Sequence, residues 1–379
     1  VNTTLPIRPI VLTAVAVVVL ALAFEWRFQH EMADFEVYWR AGARAIAGAP
    51  LYRSDDGHYQ LKYLPAFALA MAPLGLLPLT TAKAVWFAAL VVCIGMLVRL
   101  SVALWPGTAD RRLLASAVIV LMAKFYLHEL TLGQTNALMA VLVLLALKWV
   151  WLGRDGQAGL ALAGAVLVKP YALAFLPYLV VRRRWTACAW MAVGLSLLLL
   201  LPAVRYGIVA NGQLLLDWVR TVRESSAPNL LNQDNVSVWA MYAKWLEADR
   251  AAVLWLGLGT VGGMALVLAW IAGNGQGIRG REYLEIAAIL LALALGSPQG
   301  WDYVLLISTP VVVIMVATRS AMPAWLRATA FGSLLVQGLS LHDVMGRRAY
   351  AAFMAMSWIS ICGLVLFATL AILRARRVA

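Results

Sequence analysis

The sequence predicts an all-α polytopic membrane protein. Its 379 residues are 63% hydrophobic and only 13% charged, about half the charged share of a soluble domain. Mean hydropathy is +0.82. Long apolar runs also follow one another with short charged connectors between them, as expected of helices that each satisfy their own backbone in lipid.

Runs at 9–24, 63–79, 82–104, 112–127, 134–152, 157–181, 186–205, 250–273, 283–296, 302–318, 324–341 and 349–373 give roughly twelve spans. The first run lacks a small-residue cleavage site and is expected to stay as a span rather than leave as a signal peptide. Two long segments, 25–62 and 206–249, are too polar to span. The remaining connectors are tight, so a single membrane domain over 1–379 is expected, with these two segments as its long loops.

The net charge of +13 is mostly arginine. In a membrane protein this bias marks cytoplasmic loops and contact with anionic headgroups, and no polar domain is present to carry a nucleic-acid-binding face. RRR at 182–184, IRGR at 278–281 and RARR at 374–377 fall on one side of the span count. That side is assigned to the cytoplasm, and both long loops and SPQGWDY at 297–303 to the opposite face. The count leaves Arg111 and Arg112 outside and GQTN at 133–136 inside. A break of 157–181 into two half-helices at Lys169-Pro170 would invert this middle region. Cys93, Cys188 and Cys362 lie far apart in apolar runs and read as packing residues. His30, His58, His128 and His342 are scattered, and no metal or haem motif is present.

Ionisable groups beside apolar runs are candidates for chemistry, because the bilayer makes them costly to hold. Asp34 follows the first run, within HEMADFEVYWRAG. A carboxylate kept partly dry by Phe35, Tyr38 and Trp39 can act as a general base on a hydroxyl. Asp34 equally suits the N-cap of the helix-like run that follows. The amphipathic stretch to Gly48 reads as a segment lying on the membrane. Asp55, Asp56, His58, Tyr59 and Lys62 then form either a solvated loop or an acceptor and headgroup site, leading into Tyr63 and the YLPAF run.

Lys169 interrupts VLVKPYALAF, which holds no other charge, so it needs water or an anion such as phosphate. Gln134 in GQTN, and Asn232 and Gln233 in NQDNVS, offer amides that cap helices or bind hydroxyl-rich ligands such as sugars. Trp301, Asp302 and Tyr303 set a carboxylate between aromatics, suited to a sugar or to an interfacial anchor with an N-cap. Arg347 and Arg348 run against the positive-inside trend in the last external turn and suit an anionic ligand.

In order, the motifs are Asp34, YWRAGARAIAGAPLY, YLPAFALAMAPLGLLP, GQTNALMAVLVLLAL, LVKPYALAFLPYLVVRRRW, NQDNVSVW and SPQGWDY. Together they resemble glycosyltransferase family 87, the polyprenyl-phosphate-mannose-dependent mannosyltransferases, over 30–345. The resemblance implies a GT-C fold with amphipathic helices in the first external loop and a catalytic carboxylate at the start of that loop, here Asp34. The family's KP motif falls on Lys169-Pro170 and its amide motif on Asn232-Gln233. Tyr303 stands where some members carry His.

The activity so implied is inverting transfer of a sugar, mannose first, from polyprenyl phosphate to a lipid- or glycan-linked hydroxyl, in the bacterial plasma membrane on its extracytoplasmic face. Asp34 would deprotonate the acceptor, and Lys169, Arg347 or Arg348 would stabilise the phosphate. Tyr38, Asp55, Asp56, His58, Tyr63, Gln134, Asn232, Gln233, Trp301, Asp302 and Tyr303 would line the substrate site. The expected partners are this donor, the acceptor and membrane lipids; neither metal nor cofactor is required, and nucleic acid is not a partner. A secondary transporter is the alternative from another class, opposed by two long external loops and by halves without inverted similarity. A third reading is a protein that handles polyprenyl carriers without glycosyl transfer.

Overall fold

A computed structural model describes residues 7–247, 249–273 and 279–376. Ile278 and Arg377 of the basic runs lie outside the described residues. The described residues form helices and no strand, apart from an isolated bridge between Asn235 and Trp301.

Helix α1 (Ile7–Trp26) leads through a 3-10 turn at Phe28–His30 into α2 (Ala33–Ala47). The amphipathic pattern of α2 buries Phe35, Val37, Tyr38, Ala41 and Ala45 on one face. Gly48, at φ 66°, ends it in the left-handed conformation.

The run expected to span at 63–79 does not. It folds into α3 (Pro65–Ala70) and α4 (Ala72–Gly75), two short helices packed on α2. Pro65, Pro73 and Pro78 each remove a backbone donor, so a continuous spanning helix cannot form. Glycines let the backbones meet: a Cβ on Gly42 would lie 2.4 Å from the Met71 carbonyl oxygen, and one on Gly75 2.5 Å from the Ala43 nitrogen.

The chain continues through α5 (Leu79–Leu104), α6 (Arg111–Leu132), α7 (Asn136–Trp151) and α8 (Asp155–Val168). Lys169 then adopts an extended backbone, a 3-10 turn covers Pro170–Ala174, and α9 (Phe175–Val181) returns. The run at 157–181 is therefore a broken pair. Next come α10 (Trp185–Leu200) and α11 (Ala203–Tyr206), then α12 (Ile208–Asn229) and α13 (Val238–Trp245). After α14 (Arg250–Gly273) and α15 (Arg279–Gly296), a 3-10 stretch at Asp302–Ser308 enters α16 (Thr309–Ala317). Helices α17 (Ala324–Leu339), α18 (His342–Met345), α19 (Arg347–Ala355) and α20 (Trp358–Ala375) complete the fold. Among the described residues, five stretches are long and apolar enough to cross a membrane: α5, α6, Trp185–Tyr206, α14 and α20. Shorter apolar helices, among them α7 and α8, stand between them.

Contacts sort the molecule into two ends. At one end Arg182 pairs with Glu285, Tyr178 donates to Glu285 at 3.1 Å, and Arg374 approaches the same carboxylate at 3.9 Å. Trp151 donates to Glu282, and Tyr283 donates to the Ser101 carbonyl at 2.6 Å. At the other end lie Asp34, Gln134, Lys169 and the loop at 297–303. The 18 residues of α15 separate the two ends by about 27 Å at 1.5 Å per residue. The described basic residues at 182–184, 279–281 and 374–376 thus share an end, as their spacing predicts.

The run expected at 349–373 breaks at Ser357 (φ 57°) into α19 and α20, and the other two departures from the expected spans compensate. The run at 63–79 stays at one end, and 157–181 climbs to Lys169 and returns. Gln134 thereby joins Asp34, while Arg111, which donates to the Trp105 carbonyl at 2.7 Å, belongs to the basic end.

Asp55 and Arg183 are exposed at opposite ends. With the three native cysteines replaced, an impermeant maleimide added to intact cells should label Asp55→Cys and spare Arg183→Cys. Labelling of position 183 alone would reverse the orientation.

Candidate active site

The site is built on a turn. Helix α6 ends at Gly133, whose φ is 70°. A Cβ there would sit 2.7 Å from the Phe35 Cβ, so the turn presses directly on the start of α2. The Met32 N–H donates to the Thr131 carbonyl at 2.7 Å, and the Trp86 indole N–H donates to the Gly133 carbonyl at 2.8 Å. Phe35 stacks on Trp86 with centroids 5.5 Å apart. Lys83 holds the approach to α2: its ammonium donates to the carbonyls of Gln29 at 2.9 Å and Glu31 at 2.8 Å and pairs with Glu36 at 2.8 Å.

Asp34 is the second residue of α2, inside its first turn. The N-cap position belongs to Met32, which makes no side-chain cap, so capping does not explain Asp34. A first-turn carboxylate faces the positive end of the helix dipole. Asp34 is half-buried, and its carboxylate accepts one N–H of the Gln134 amide at 2.6 Å.

Gln134 is the hub. Its amide nitrogen also donates to the Tyr303 hydroxyl at 3.3 Å. Its carbonyl oxygen faces the hydroxyls of Tyr38 at 3.1 Å and Tyr63 at 3.2 Å and the Lys169 ammonium at 3.2 Å. The orientation of the amide is dictated chemically, since a carboxylate only accepts and an ammonium only donates. Lys169 also donates to the Tyr63 hydroxyl at 2.9 Å. Tyr63 meets Tyr38 at 2.7 Å and Thr135 at 3.1 Å. Burial pushes the Tyr38 phenol well above its ordinary pKa, with Tyr63 and Asp34 adding to the shift; Tyr38 therefore stays a neutral donor and acceptor.

Glu129 secures the same turn. It is fully buried on α6 and accepts from the Asn136 amide at 2.8 Å and the Ala137 N–H at 2.9 Å, which caps α7. Asn136 in turn accepts from the Tyr171 hydroxyl at 3.3 Å. Beyond Tyr303, Asp302 is buried between two side chains of α6, the Lys124 ammonium at 3.1 Å and the His128 imidazole at 2.8 Å.

The fold thus gathers Asp34, Tyr38, Tyr63, Gln134, Lys169 and Tyr303 into one network, with Asp302 beside it. Trp301 contributes through its backbone bridge to Asn235. Other candidates stand apart. Asp55 is exposed and paired with Arg53. Asp56 forms a two-pronged pair with Arg44, with the second contact at 2.7 Å, and that hydrogen-bonded pairing holds its carboxyl below the usual range. His58 is exposed against Tyr59. Of that loop only Lys62 faces the network. Burial lowers its ammonium pKa, Asp34 opposes the shift and Lys169 adds to it.

Asn232 and Gln233 are exposed, and Asn232 accepts from the Asp234 N–H at 2.9 Å. The buried amide of that motif is Asn235, which donates to the carbonyls of Asn229 at 2.9 Å and Pro298 at 2.8 Å and so clasps the 297–303 loop. Arg347 and Arg348 are exposed at the start of α19, without contact to the Asp34 network. Among the described residues no three His, Cys, Asp or Glu side chains converge as a metal site would require.

Sequence reasoning passed over Lys124, His128, Glu129 and Asn235. The rule that selects Lys169, an ionisable group in an apolar run, also selects Lys124. Ending that run at 127 hid His128 and Glu129.

Gly133→Ala should lower both stability and activity, because it combines an unfavourable φ with a contact against Phe35. A loss of about 1–3 kcal/mol is expected. Thermal unfolding in detergent, read beside substrate turnover, checks it; an unchanged midpoint would show that α2 does not rest on this turn.

The model of glycosyltransferase family 87 matches residues 61–309. The match takes in Tyr63, Gln134, Lys169 and the 301–303 loop and begins beyond Asp34. Comparison with curated proteins gave no match. With the match covering well over half of its length, the chain belongs to glycosyltransferase family 87.

Proposed function

We propose that this glycosyltransferase moves a sugar, mannose as first candidate, from a polyprenyl-phosphate donor to a hydroxyl on a lipid- or glycan-linked acceptor, with inversion. The reaction takes place at the extracytoplasmic face of the bacterial plasma membrane. One observation carries this reading: a carboxylate, Asp34, and an ammonium, Lys169, both half-buried, address opposite ends of one amide, Gln134. A base and an anion-binding cation are the two groups that displacement of a phosphate by a hydroxyl needs.

The Asp34 carboxylate keeps lone pairs beyond the one that Gln134 occupies. It takes the proton of the acceptor hydroxyl as that oxygen bonds to C1 of the sugar. The bond from C1 to the phosphate oxygen breaks, and its electron pair stays on the phosphate. Lys169 has three N–H donors; Tyr63 and Gln134 take two, and the third is open to a phosphate oxygen. Phe35 and Tyr38, both buried, keep one side of the site dry, which strengthens these charge interactions. An apolar cavity of about 430 Å³ between α9, α14 and α15 supports a lipid-borne donor: it begins at Tyr171 and is lined by Met264, Leu268, Ile289 and Leu293.

Asp34→Asn should reduce transfer by about 10²-fold or more while leaving donor binding intact, since the amide keeps the shape but cannot take a proton. Transfer of radiolabelled sugar from polyprenyl-phosphate mannose measures this, and near-normal rates would remove Asp34 as the base. Lys169→Met should fold, because it removes a charge that an apolar run holds at a cost, and should weaken both donor binding and transfer. Wild-type donor affinity in that variant would end the phosphate role of Lys169.

A further inference from the structure

We propose that His128 of α6, aimed by Asp302, contacts the phosphate that leaves the sugar; this rests on the lipid-phosphate donor reading above. Asp302 is the organising group. One of its oxygens lies 2.8 Å from His128 Nδ1 and the other 3.1 Å from Lys124 Nζ. Lys124 and His128 sit four residues apart on α6, one above the other on the same helix face. Lys124 is tied down further by donating to the Ser340 hydroxyl at 3.0 Å.

The imidazole is different. With Nδ1 turned to a carboxylate, Nδ1 keeps a proton in either charge state; in the imidazolium Nε2 carries a second N–H, and Nε2 has no hydrogen-bond partner among the described residues. The His128 side chain is 36% exposed, whereas that of Asp302 is 3% exposed. A carboxylate thus anchors one edge of the ring from the buried side and presents the other edge to a ligand.

The ring also adjoins the site. It stands edge-on to Tyr303 with centroids 5.1 Å apart, and the Tyr303 hydroxyl shares the Gln134 amide with Asp34. Two cations on one carboxylate give the trio a surplus positive charge when the imidazole is protonated. A neutral sugar gains little from that surplus; an oxyanion gains a charge-assisted hydrogen bond. As C1 bonds to the acceptor oxygen and releases the phosphate, the pair left on the phosphate oxygen accepts a hydrogen bond from Nε2–H of the protonated imidazole. The acceptor proton goes to Asp34, and no proton need leave His128. Asp302 and Lys124 touch no substrate and act as positioning residues.

Farnesyl phosphate and farnesol, tested as inhibitors of transfer, separate the phosphate contact from lipid packing. His128→Ala should lower kcat about 10²-fold, weaken inhibition by farnesyl phosphate about tenfold, a typical loss for one charged hydrogen bond, and leave inhibition by farnesol unchanged. Where His128→Ala fails to fold, His128→Gln, which is smaller and uncharged, carries the same comparison and should also lose affinity for farnesyl phosphate alone. Equal inhibition of wild type and variant by farnesyl phosphate, or equal weakening toward both compounds, would overturn the role of His128 and leave the donor reading standing. A wild-type enzyme that farnesyl phosphate does not inhibit would overturn the donor reading and this proposal with it.

Discussion

A buried side-chain amide has two donors and two acceptor lone pairs to satisfy, and leaving either side unmet costs about 1–3 kcal/mol. Gln134 meets this demand with groups of opposite character. Its N–H groups face Asp34 and Tyr303, and its oxygen faces Tyr38, Tyr63 and Lys169. Three donors compete for two lone pairs, so the Tyr38 and Tyr63 hydroxyls share their protons with each other and with Thr135. The amide couples the carboxylate to the ammonium without letting them neutralise each other by direct contact. Both stay available to a substrate.

That amide can be where it is only because backbone meets backbone around it. Gly133 admits Phe35, and Gly42 and Gly75 admit their facing backbones on α4 and α2. The amphipathic α2 is consequently clamped between the α6–α7 turn on one side and the short α3–α4 pair on the other. Prolines that forbid a span at 63–79 supply this second support. The same residue type breaks the other exceptional run: Pro170 ends α8 and leaves Lys169 extended at the cleft. Interrupted helices bring irregular backbone to membrane depth where protein, not lipid, surrounds it.

The far end is organised by a different interaction. Glu285 is buried with Arg182, Tyr178 and Arg374, and so links α9, α15 and α20. Such a pair adds little net stability after desolvation, but it strongly disfavours arrangements that would strand any one charge. It fixes the lower ends of helices whose upper ends carry the cleft: α15 leads into the 297–303 loop, and α9 emerges from the Lys169 break. The apolar cavity lies between α9, α14 and α15, joining this end to the cleft.

Much of this was legible in the chain. Hydrophobic composition and the spacing of apolar runs determine an all-helical membrane protein, and the arginine clusters determine which helix ends lie together, because both are local properties of solvation and charge. Asp34, Gln134 and Lys169 stand out for the same reason: each is a polar group where polarity is expensive. Partnership was not legible. The partners of Asp302, Lys124 and His128, come from a helix far away in sequence, and Asn235 rather than Asn232 or Gln233 holds the loop. Asp55 and Asp56 look like site residues until Arg53 and Arg44 are seen to occupy them. Sequence records what each side chain needs; which neighbour meets that need depends on how glycine contacts and proline breaks set the helices against one another, and that is decided only when the chain is packed.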